Sequence, residues 1–241
     1  MIIIPDIHGR GFWKEAVKKA EPDEKIIFLG DYLDPYAYEG ITPEMSIENF
    51  KEILEFKKNN ADNVILLLGN HDFHYINDDL NGGRKIREHA DWVESTLKEN
   101  NDLFDFSYIL KIGDTNYIFS HAGFIEGWVN EVYKTDSILE AAEKSNSDFK
   151  NNDMREFSRC LNYISYSRGG YRMFGSPIWA DMREHTLNLH FESTYQIFGH
   201  TQCSEEYIGK NYAMLDRRDA FRLNESDGKI ERITFEDKLY R

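Results

Sequence analysis

The apolar residues in the first part of the chain fall into three short runs, separated by two stretches of helical spacing. The runs are Ile2 to Ile4, Lys25 to Leu29 and Val64 to Leu68, and short apolar runs of this kind are typical of buried strands. Between them, 11–20 and 43–59 place apolar residues at helical spacing, and the second stretch begins with a proline. The order β-α-β-α-β predicts a parallel sheet with right-handed crossovers.

The pattern becomes polar and helix-like from His74 to Phe106, with a break at Gly82-Gly83. We interpret residues 74–106 as a helical cap inserted into the domain rather than as part of the sheet. After it, Tyr108 to Ile112 and Asn116 to Ser120 flank Gly113-Asp114 and predict a hairpin. Residues 131–166 are mostly helical in pattern, and late strands are predicted at 195–198, 212–215, 221–223 and 230–235.

The chain shows no internal repeat, low-complexity tract or Pro/Ser-rich linker, and 241 residues fit one domain. We therefore expect a single α/β (α+β) domain spanning 1–241, with the helical insertion at about 74–106. The hydrophobic fraction of 41% and the charged fraction of 30% are typical of a soluble globular protein. A domain of this size buries a full core without disulfides.

Cysteine use and hydropathy bear on location. The two cysteines, Cys160 and Cys203, are far apart and in no metal-ligand spacing, which favours a reducing cytoplasm over a disulfide framework. The apolar run at the N-terminus is too short for a signal peptide, and no apolar stretch approaches the length of a membrane span. We expect a cytoplasmic protein with no membrane partner.

The net charge of −14 argues against nucleic acid as a partner, because a strongly acidic surface repels polyanions at long range. We expect no stable nucleic-acid partner, and the sequence does not indicate an oligomeric state. Bound divalent cations would change the sign of the charge locally, so an acidic protein could still attract phosphate into a metal-containing cleft.

Polar residues able to bind metal follow directly after several apolar runs. In an open α/β sheet the carboxyl ends of the strands form the ligand crevice, so these residues should converge. Carboxylate, imidazole and amide groups suit divalent metals such as Mn, Fe(II) and Zn. Buried polar residues satisfied by backbone are the alternative, but four of the eight histidines stand in these positions. The candidates are Asp6, His8, Asp31, Asp34, Asn70, His71, His121 and His200.

These residues lie in five ordered blocks: Asp-x-His-Gly, Gly-Asp-x-x-Asp, Gly-Asn-His-Asp, Ser-His-Ala-Gly and Gly-His-Thr, between positions 6 and 201. Together the blocks resemble the calcineurin-like metallophosphoesterases. The resemblance implies a β-sandwich flanked by helices and a phosphorylated substrate. It also implies two divalent metal ions, manganese first with iron or zinc as alternatives, and attack on phosphorus by a hydroxide that bridges them.

The resemblance also implies a role for each residue. Asp6, His8 and Asp31 correspond to ligands of the first metal. Asp31, with Asn70, His121 and His200, corresponds to the ligands of the second. His71 corresponds to the catalytic histidine that protonates or stabilises the leaving oxygen, and Asp34 to the carboxylate that sets its tautomer. The remaining histidines, His74, His89, His185 and His190, match no motif and are interpreted as core or surface residues.

Two positions depart from the family pattern. Gln202 stands where many relatives have a second histidine, which favours the branch of phosphoprotein phosphatases and symmetrical dinucleoside-tetraphosphatases over nucleases. Pro35 stands where phosphoprotein phosphatases carry a phosphate-binding arginine, so another arginine has to replace it. The candidates are Arg183, in a Trp-containing block, then Arg168 and Arg172, then Arg10; a surface charge is the alternative for each.

Three functions remain open. The first is a metal-dependent phosphatase, a hydrolase that acts on phosphate monoesters in a phosphoprotein or a small phosphorylated molecule. The second is a hydrolase of phosphoanhydrides such as dinucleoside polyphosphates. The third is a binding module that has lost catalysis, but the complete set of ligands and His71 weigh against it.

Overall fold

In a computed structural model of the protein, residues 1–80, 83–185 and 194–235 are described. They contain eleven strands: β1 (Ile2–Ile4), β2 (Ile26–Phe28), β3 (Val64–Leu67), β4 (Phe104–Asp105), β5 (Tyr108–Ile112), β6 (Thr115–Phe119), β7 (Thr194–Phe198), β8 (Tyr207–Ile208), β9 (Tyr212–Met214), β10 (Ala220–Leu223) and β11 (Ile230–Ile233). The same residues contain eight α-helices: α1 (Phe12–Val17), α2 (Pro43–Asn59), α3 (Asn70–Ile76), α4 (Ala90–Glu99), α5 (Glu126–Tyr133), α6 (Ile138–Asn151), α7 (Met154–Ser158) and α8 (Met182–His185).

The strands form two sheets. The first has the order β11-β10-β1-β2-β3-β4 and the second the order β5-β6-β7-β9-β8. β1 pairs with β2 and β2 with β3 in parallel, as the β-α-β-α-β pattern predicted. The predicted hairpin is β5–β6, and the last two predicted strands pair as β10–β11. The predicted α/β class, a sandwich with helices, is confirmed.

The fully apolar runs divide their side chains between two cores, because successive residues of a strand point to opposite faces. Ile3 and Ile27 lie in a core that also contains Phe119 and Ile197 of the second sheet. Their neighbours, such as Ile2, Ile4 and Phe28, lie in the larger core beneath the helices. The first sheet is therefore buried on both faces, which explains why its central strands have no polar positions.

Helix α2 begins and ends where the sequence predicted. Thr42 caps it, since its hydroxyl accepts a hydrogen bond from the Met45 N–H at 3.2 Å, and Pro43 occupies the first turn. Ile47, Phe50 and Ile53 recur at helical spacing and are buried against the sheet. This helix connects β2 to β3 and so fixes the loop that follows β2.

The predicted cap is helical over much of its length but ends in the sheet. Within the described residues it begins with the end of α3 and contains three 3₁₀ turns, Asp78–Leu80, Arg87–His89 and Asn101–Leu103, with α4 between the second and the third. Phe104 and Asp105, however, form β4 and pair in parallel with β3. Phe104 is fully buried beside Phe50 and Tyr32, and this packing outweighs the polar pattern of the preceding residues. Gly82 of the predicted break lies outside the described residues.

Membrane insertion through a helix finds no support in the part of the chain that the structure describes. None of the helices there combines the length and the hydropathy that a bilayer crossing requires.

Candidate metal centre and active site

The loops that follow β1, β2, β3, β6 and β7 bring the predicted polar residues to one edge of the two sheets. Parallel strands end at the same edge, and this is why residues from five separate segments meet. All are buried except His200, which is partly exposed. The residues brought together are Asp6, His8, Asp31, Asp34, Asn70, His71, His121 and His200.

Asp31 lies at the centre of this cluster. Its Oδ2 is 3.5 Å from Nε2 of His8 on one side and 3.5 Å from Nε2 of His121 on the other. Its Oδ1 accepts a hydrogen bond from the His71 backbone N–H at 2.9 Å. Two groups with ligand atoms close enough to hold an ion share Asp31: one contains His8 and His71, the other His121 and His200. One carboxylate therefore faces two potential metal positions.

Backbone carbonyls orient the two histidines beside Asp31. Nδ1 of His8 donates to the Leu33 carbonyl at 2.9 Å, and Nδ1 of His121 donates to the Leu29 carbonyl at 2.8 Å. The proton then lies on Nδ1, and the lone pair of Nε2 points towards Asp31, as in metal-binding histidines. Burial holds the pKa of His8 well below its usual value, so the ring stays in the neutral form that binds metal.

The second group contains acceptor atoms that face one another. Nε2 of His121 is 3.0 Å from Oδ1 of Asn70, although both atoms carry lone pairs. The same Nε2 is 3.1 Å from Nδ1 of His200. The buried Nε2 of His200 has no hydrogen-bond partner within the described ranges. Acceptors held this close repel unless a cation lies between them, so this set of atoms fits a divalent metal.

Asp6 lies near Asp31 and is held by the backbone of His200. Both of its carboxylate oxygens are 3.0 Å from the His200 backbone N–H, which donates to them. Burial, with the nearby charge of Asp31, raises the pKa of Asp6 to about 7. Asp216, which follows β9 and was missed in the sequence, is buried beside Asp6, and burial together with Asp6 raises its pKa. Such closely spaced carboxyl groups favour a cation nearby.

Gly199 has no side chain, and this lets the Asp6 carboxylate lie close to the backbone at position 199. A methyl group at that position should displace Asp6. A Cβ at position 199 would lie 2.2 Å from Oδ1 of Asp6. We expect Gly199→Ala to weaken metal binding at the Asp6 side and to lower activity, as metal titration and turnover assays would measure. Gly127→Ala is a matched control, because its Cβ would lie 2.3 Å from the Phe174 ring, away from the site. It should lower the melting temperature without changing metal affinity; equal metal affinity in both variants would contradict the assignment.

Asp72, the last residue of the Gly-Asn-His-Asp block, joins the loops that follow β2 and β3. Its Oδ2 accepts hydrogen bonds from the backbone N–H groups of Asp31 and Gly69, both at 2.8 Å. Its Oδ1 accepts from the Tyr32 N–H at 3.1 Å. The carboxylate thus fixes the backbone on which Asp31 is mounted, and it takes no direct part in the ligand cluster.

His71 and Asp34 form a pair beside the cluster. Nδ1 of His71 is 2.8 Å from Oδ2 of Asp34. The same oxygen is 2.7 Å from Nε2 of His74, and the Tyr75 hydroxyl donates to Oδ1. Burial alone would raise the pKa of Asp34, but hydrogen bonds from His71 and His74 outweigh it and lower the pKa to about 2. Asp34 is therefore a charged carboxylate that orients His71 through Nδ1.

His74, interpreted from the sequence as a core or surface residue, also contacts a residue of the site. It is fully buried, as expected of a core residue, but it touches the Asp34 carboxylate that also holds His71. The signal was present in the sequence, because residues three apart on a helix share a face and His71 and His74 both belong to α3. His89 lies near the surface, and His185 stacks on Phe198 in the core. His190 lies outside the described residues.

The site backbone includes several non-glycine residues in the left-handed region. Four of them are site residues: His8 (φ 46°), Asp31 (φ 53°), Asp34 (φ 61°) and His200 (φ 66°). Each such residue costs on the order of 1–3 kcal/mol when the surroundings impose it, and such residues cluster at functional sites. The strained turns point side chains from three loops, those after β1, β2 and β7, to one place.

The four predicted phosphate-binding arginines lie at different distances from the cluster. Arg10 is buried, and its guanidinium binds both oxygens of Glu39 at 2.9 and 3.0 Å. Arg183 has an exposed side chain and binds Asp181 at 2.7 Å. Arg172 lies over the Tyr163 ring, 4.4 Å from its centroid. Arg172 and Arg183 are therefore held in structural pairs, whereas Arg10 also reaches the cluster, since its Nη1 donates to the Asp6 carbonyl oxygen at 3.3 Å.

Arg168 also lies beside the cluster. It pairs with Asp181 at 3.1 Å and donates to the Thr201 hydroxyl. Burial lowers the pKa of His200, and the charge of Arg168 lowers it further, which indicates that the two side chains are close. Arg168 also lines a cavity of about 660 Å³ with Trp179, whose ring is 5.7 Å from the His200 ring. The cavity therefore adjoins the ligand cluster.

Arg84, in the insertion, was missed in the sequence. One of its Nη atoms is 3.2 Å from Nε2 of His71, and the other donates to the Asp34 carbonyl oxygen. Its guanidinium carbon lies 3.7 Å from the centroid of the Tyr36 ring. Nothing in the local sequence pattern separates this arginine from a surface charge, except that it follows Gly83 directly.

The side-chain amide of Gln202 has a partner outside the ligand cluster, Arg218. When its amide oxygen is turned towards Arg218, the oxygen accepts from Nη2 at 2.6 Å and from Nε at 3.0 Å. Arg218 in turn pairs with Glu39 at 3.0 Å. The residue that replaces the family's second histidine is thus part of an arginine–glutamate network.

Comparisons with known proteins identify a family and a similar fold. Residues 1–204 match the family described as calcineurin-like phosphoesterase. A cold-active protein-tyrosine phosphatase from a psychrophilic Shewanella species has a similar structure, with a TM-score of 0.56, 16% sequence identity and coverage of 97% of this chain and 80% of that one. A serine/threonine protein phosphatase from Saccharomyces cerevisiae gives a TM-score of 0.46, 15% identity and coverage of 89% and 65%. No curated protein matches the sequence.

Proposed function

This chain belongs to the calcineurin-like phosphoesterases and is a metal-dependent phosphatase, a hydrolase acting on ester bonds; from this we propose that it hydrolyses phosphate monoesters at a two-metal site. The observation that carries the proposal is the Asp31 carboxylate, which faces two groups of potential ligands at once. The proposed first group is Asp6, His8 and Asp31, and the second is Asp31, Asn70, His121 and His200.

The chain's own residues would prepare the leaving group. When bound, two divalent ions supply Lewis acidity that activates water and offsets charge on the phosphoryl oxygens. Asp34 accepts a hydrogen bond from Nδ1 of His71 at 2.8 Å, so Nε2 faces the site as an acceptor, 3.2 Å from Arg84. We propose that Nε2 takes up a proton from water, which gives an imidazolium beside the Asp34 carboxylate, and passes this proton to the leaving oxygen. His74 and Tyr75 hold Asp34 in turn, so that the orientation of His71 depends on three buried side chains.

We propose manganese as the native metal, with iron or zinc as alternatives, because carboxylate, imidazole and amide ligands are mixed here. Chelation should abolish phosphatase activity, and added Mn²⁺ should restore it with two ions per chain. Metal analysis after dialysis, together with activity on p-nitrophenyl phosphate, would measure both results. A chelator-treated protein that contains no metal and remains fully active would contradict the two-metal site.

The substrate preference rests on the cavity beside the cluster. A cavity of about 660 Å³ has room for a leaving group larger than water, and Arg168 and Arg172 give it cationic lining. We propose that it receives the group esterified to the phosphate, in a phosphoprotein or a small phosphorylated molecule. Hydrolysis of a phosphoanhydride such as a dinucleoside polyphosphate is the second candidate, because the same arginines could bind further phosphates.

A substrate panel would separate these functions. We expect the Mn²⁺-loaded protein to hydrolyse p-nitrophenyl phosphate and phosphopeptides with higher kcat/KM than diadenosine tetraphosphate. A reversed order would favour the phosphoanhydride function. If the protein binds two metals but hydrolyses none of the three with Mn²⁺, Fe²⁺ or Zn²⁺, the inactive binding module would replace both enzymes.

We also propose a cytoplasmic location and no stable nucleic-acid partner. Cys160 and Cys203 are both free thiols in the structure, as expected in a reducing compartment. The net charge of −14 disfavours polyanions outside the site.

A further inference from the structure

The contacts of Arg84 point to a role in the site. Its guanidinium is held at three places: the Tyr36 ring lies against its face at 3.7 Å, the Asp34 carbonyl oxygen accepts from one Nη, and Nε2 of His71 is 3.2 Å from the other. Gly83 and Arg84 both have a left-handed backbone, with φ of 76° and 53°. This turn directs the side chain of the insertion back towards the loop that follows β2.

Arg84 differs from its neighbours in how its charge is balanced. Arg10 is matched by Glu39, and Arg168 by Asp181. Among the residues with a described structure, no carboxylate forms an ion pair with Arg84; its partners are a carbonyl oxygen, a ring nitrogen and an aromatic face. These partners orient the guanidinium without occupying it with a described carboxylate, so an incoming anion would not have to displace one.

We propose that Arg84 binds the phosphoryl group of the substrate and that Tyr36 is the residue that positions it. This inference rests on the proposed function above. The Nη atom beside Nε2 of His71 lies where the phosphate and its leaving oxygen must approach that nitrogen. On binding, this N–H donates to a phosphoryl oxygen instead, and Nε2 of His71 is free to take a proton from water and donate it to the leaving oxygen. The planar guanidinium can bind two phosphoryl oxygens while its face stays on Tyr36.

The loop after Asp34 explains how Tyr36 does this. Pro35 has no donor side chain to offer at the position next to Asp34. Tyr36, one residue later, is also held by contacts that do not involve Arg84. Its ring packs edge-on against the His8 ring at 5.2 Å and lies 5.3 Å from the Arg10 guanidinium. The loop therefore supplies an aromatic platform, and the insertion supplies the arginine that rests on it.

Phosphate binding to the Mn²⁺-loaded protein, measured by calorimetry, tests the arginine directly, with kcat and KM on p-nitrophenyl phosphate as a second readout. We expect Arg84→Ala to lower kcat/KM about 100-fold, in line with the loss of one preorganised donor to a developing charge. Phosphate affinity should fall with it, while metal content stays at two ions. Arg84→Lys should recover only part, because an ammonium lacks the planar fork. Arg155→Ala, which removes an exposed arginine paired with Glu94, should match the wild type.

Tyr36 is tested by variants that separate its ring from its hydroxyl. Tyr36→Phe should bind phosphate like the wild type, whereas Tyr36→Leu should bind it roughly 3-fold more weakly, since the cation–π contact of an exposed arginine is lost. Tyr36→Met serves if the leucine variant does not fold. Wild-type phosphate affinity in Arg84→Ala would overturn the role of Arg84, and equal effects of phenylalanine and leucine would overturn that of Tyr36. If the wild type binds phosphate but hydrolyses no ester, the proposed function is wrong. The comparison of phosphate affinities between the variants and the wild type then still tests the roles of Arg84 and Tyr36.

Discussion

Replacing Asp31 with asparagine should lower kcat by at least about 10⁴-fold, because two metal ions that each contribute several kcal/mol would be bound poorly or not at all. The carboxylate is shared by the groups of His8 and His121, at 3.5 Å from Nε2 of each. Asparagine keeps the shape and one oxygen but removes the negative charge and the second ligand oxygen. Metal titration should show both sites weakened together, and this joint loss distinguishes Asp31 from a residue that serves one ion.

The control for that variant is Asp114→Asn, which makes the same chemical change in the turn between β5 and β6. It should keep two metals and wild-type turnover. The expected folding cost of Asp31→Asn is small, because the backbone N–H of Asp31 stays bound to Asp72 at 2.8 Å. If Asp31→Asn binds one ion with unchanged affinity, Asp31 does not bridge, and the two-metal proposal loses its main support.

The second large effect is expected for His71→Asn, with a loss of about 10²–10⁴-fold in kcat, the usual contribution of a general acid. Two metals should still bind, because all the proposed ligands remain, although the His71 ring lies within ligand distance of His8 and Asp31. The loss should depend on the leaving group. It should be large for an alkyl phosphate, whose leaving oxygen needs a proton, and small for p-nitrophenyl phosphate, whose leaving group needs none.

His89→Asn is the matched control, because His89 is half-buried near Glu44 and remote from the described ligand cluster. It should behave as the wild type with both substrates. An equal loss in His71→Asn on alkyl and p-nitrophenyl phosphates would mean that His71 acts by charge or by positioning rather than by giving a proton. Unchanged turnover on both would remove His71 from the reaction.

The sequence predicts those parts of the structure that local pattern determines. The runs that became β1, β2 and β3 are apolar on both faces, and helix α2 has a capping threonine, a proline in its first turn and helical spacing. The ligands could be proposed because each follows a strand and belongs to a short block. Such signals need no knowledge of how distant segments pack.

What escaped prediction depends on tertiary contacts. β4 forms because Phe104 fits beside Phe50, which no residue near Phe104 in the sequence reveals. Arg84 and Arg183 are both arginines in polar surroundings, yet one lies against His71 and the other against Asp181. Pro35 correctly indicated that the usual arginine is missing. It could not indicate that an aromatic ring one residue later would hold a substitute from the insertion.

The pairing of β1 with β10 has a consequence for how the protein is made. Ile2 pairs with Arg222, so β1, the strand that precedes Asp6 and His8, lies between β2 and β10. Of these two partners, β2 is synthesised early and β10 very late. During synthesis one edge of β1 remains unpaired until the β10–β11 hairpin emerges, and contacts of such high sequence separation form slowly. An apolar strand with an open edge is prone to pair with another chain. Truncation before Ala220 should therefore yield aggregates rather than a folded phosphatase core.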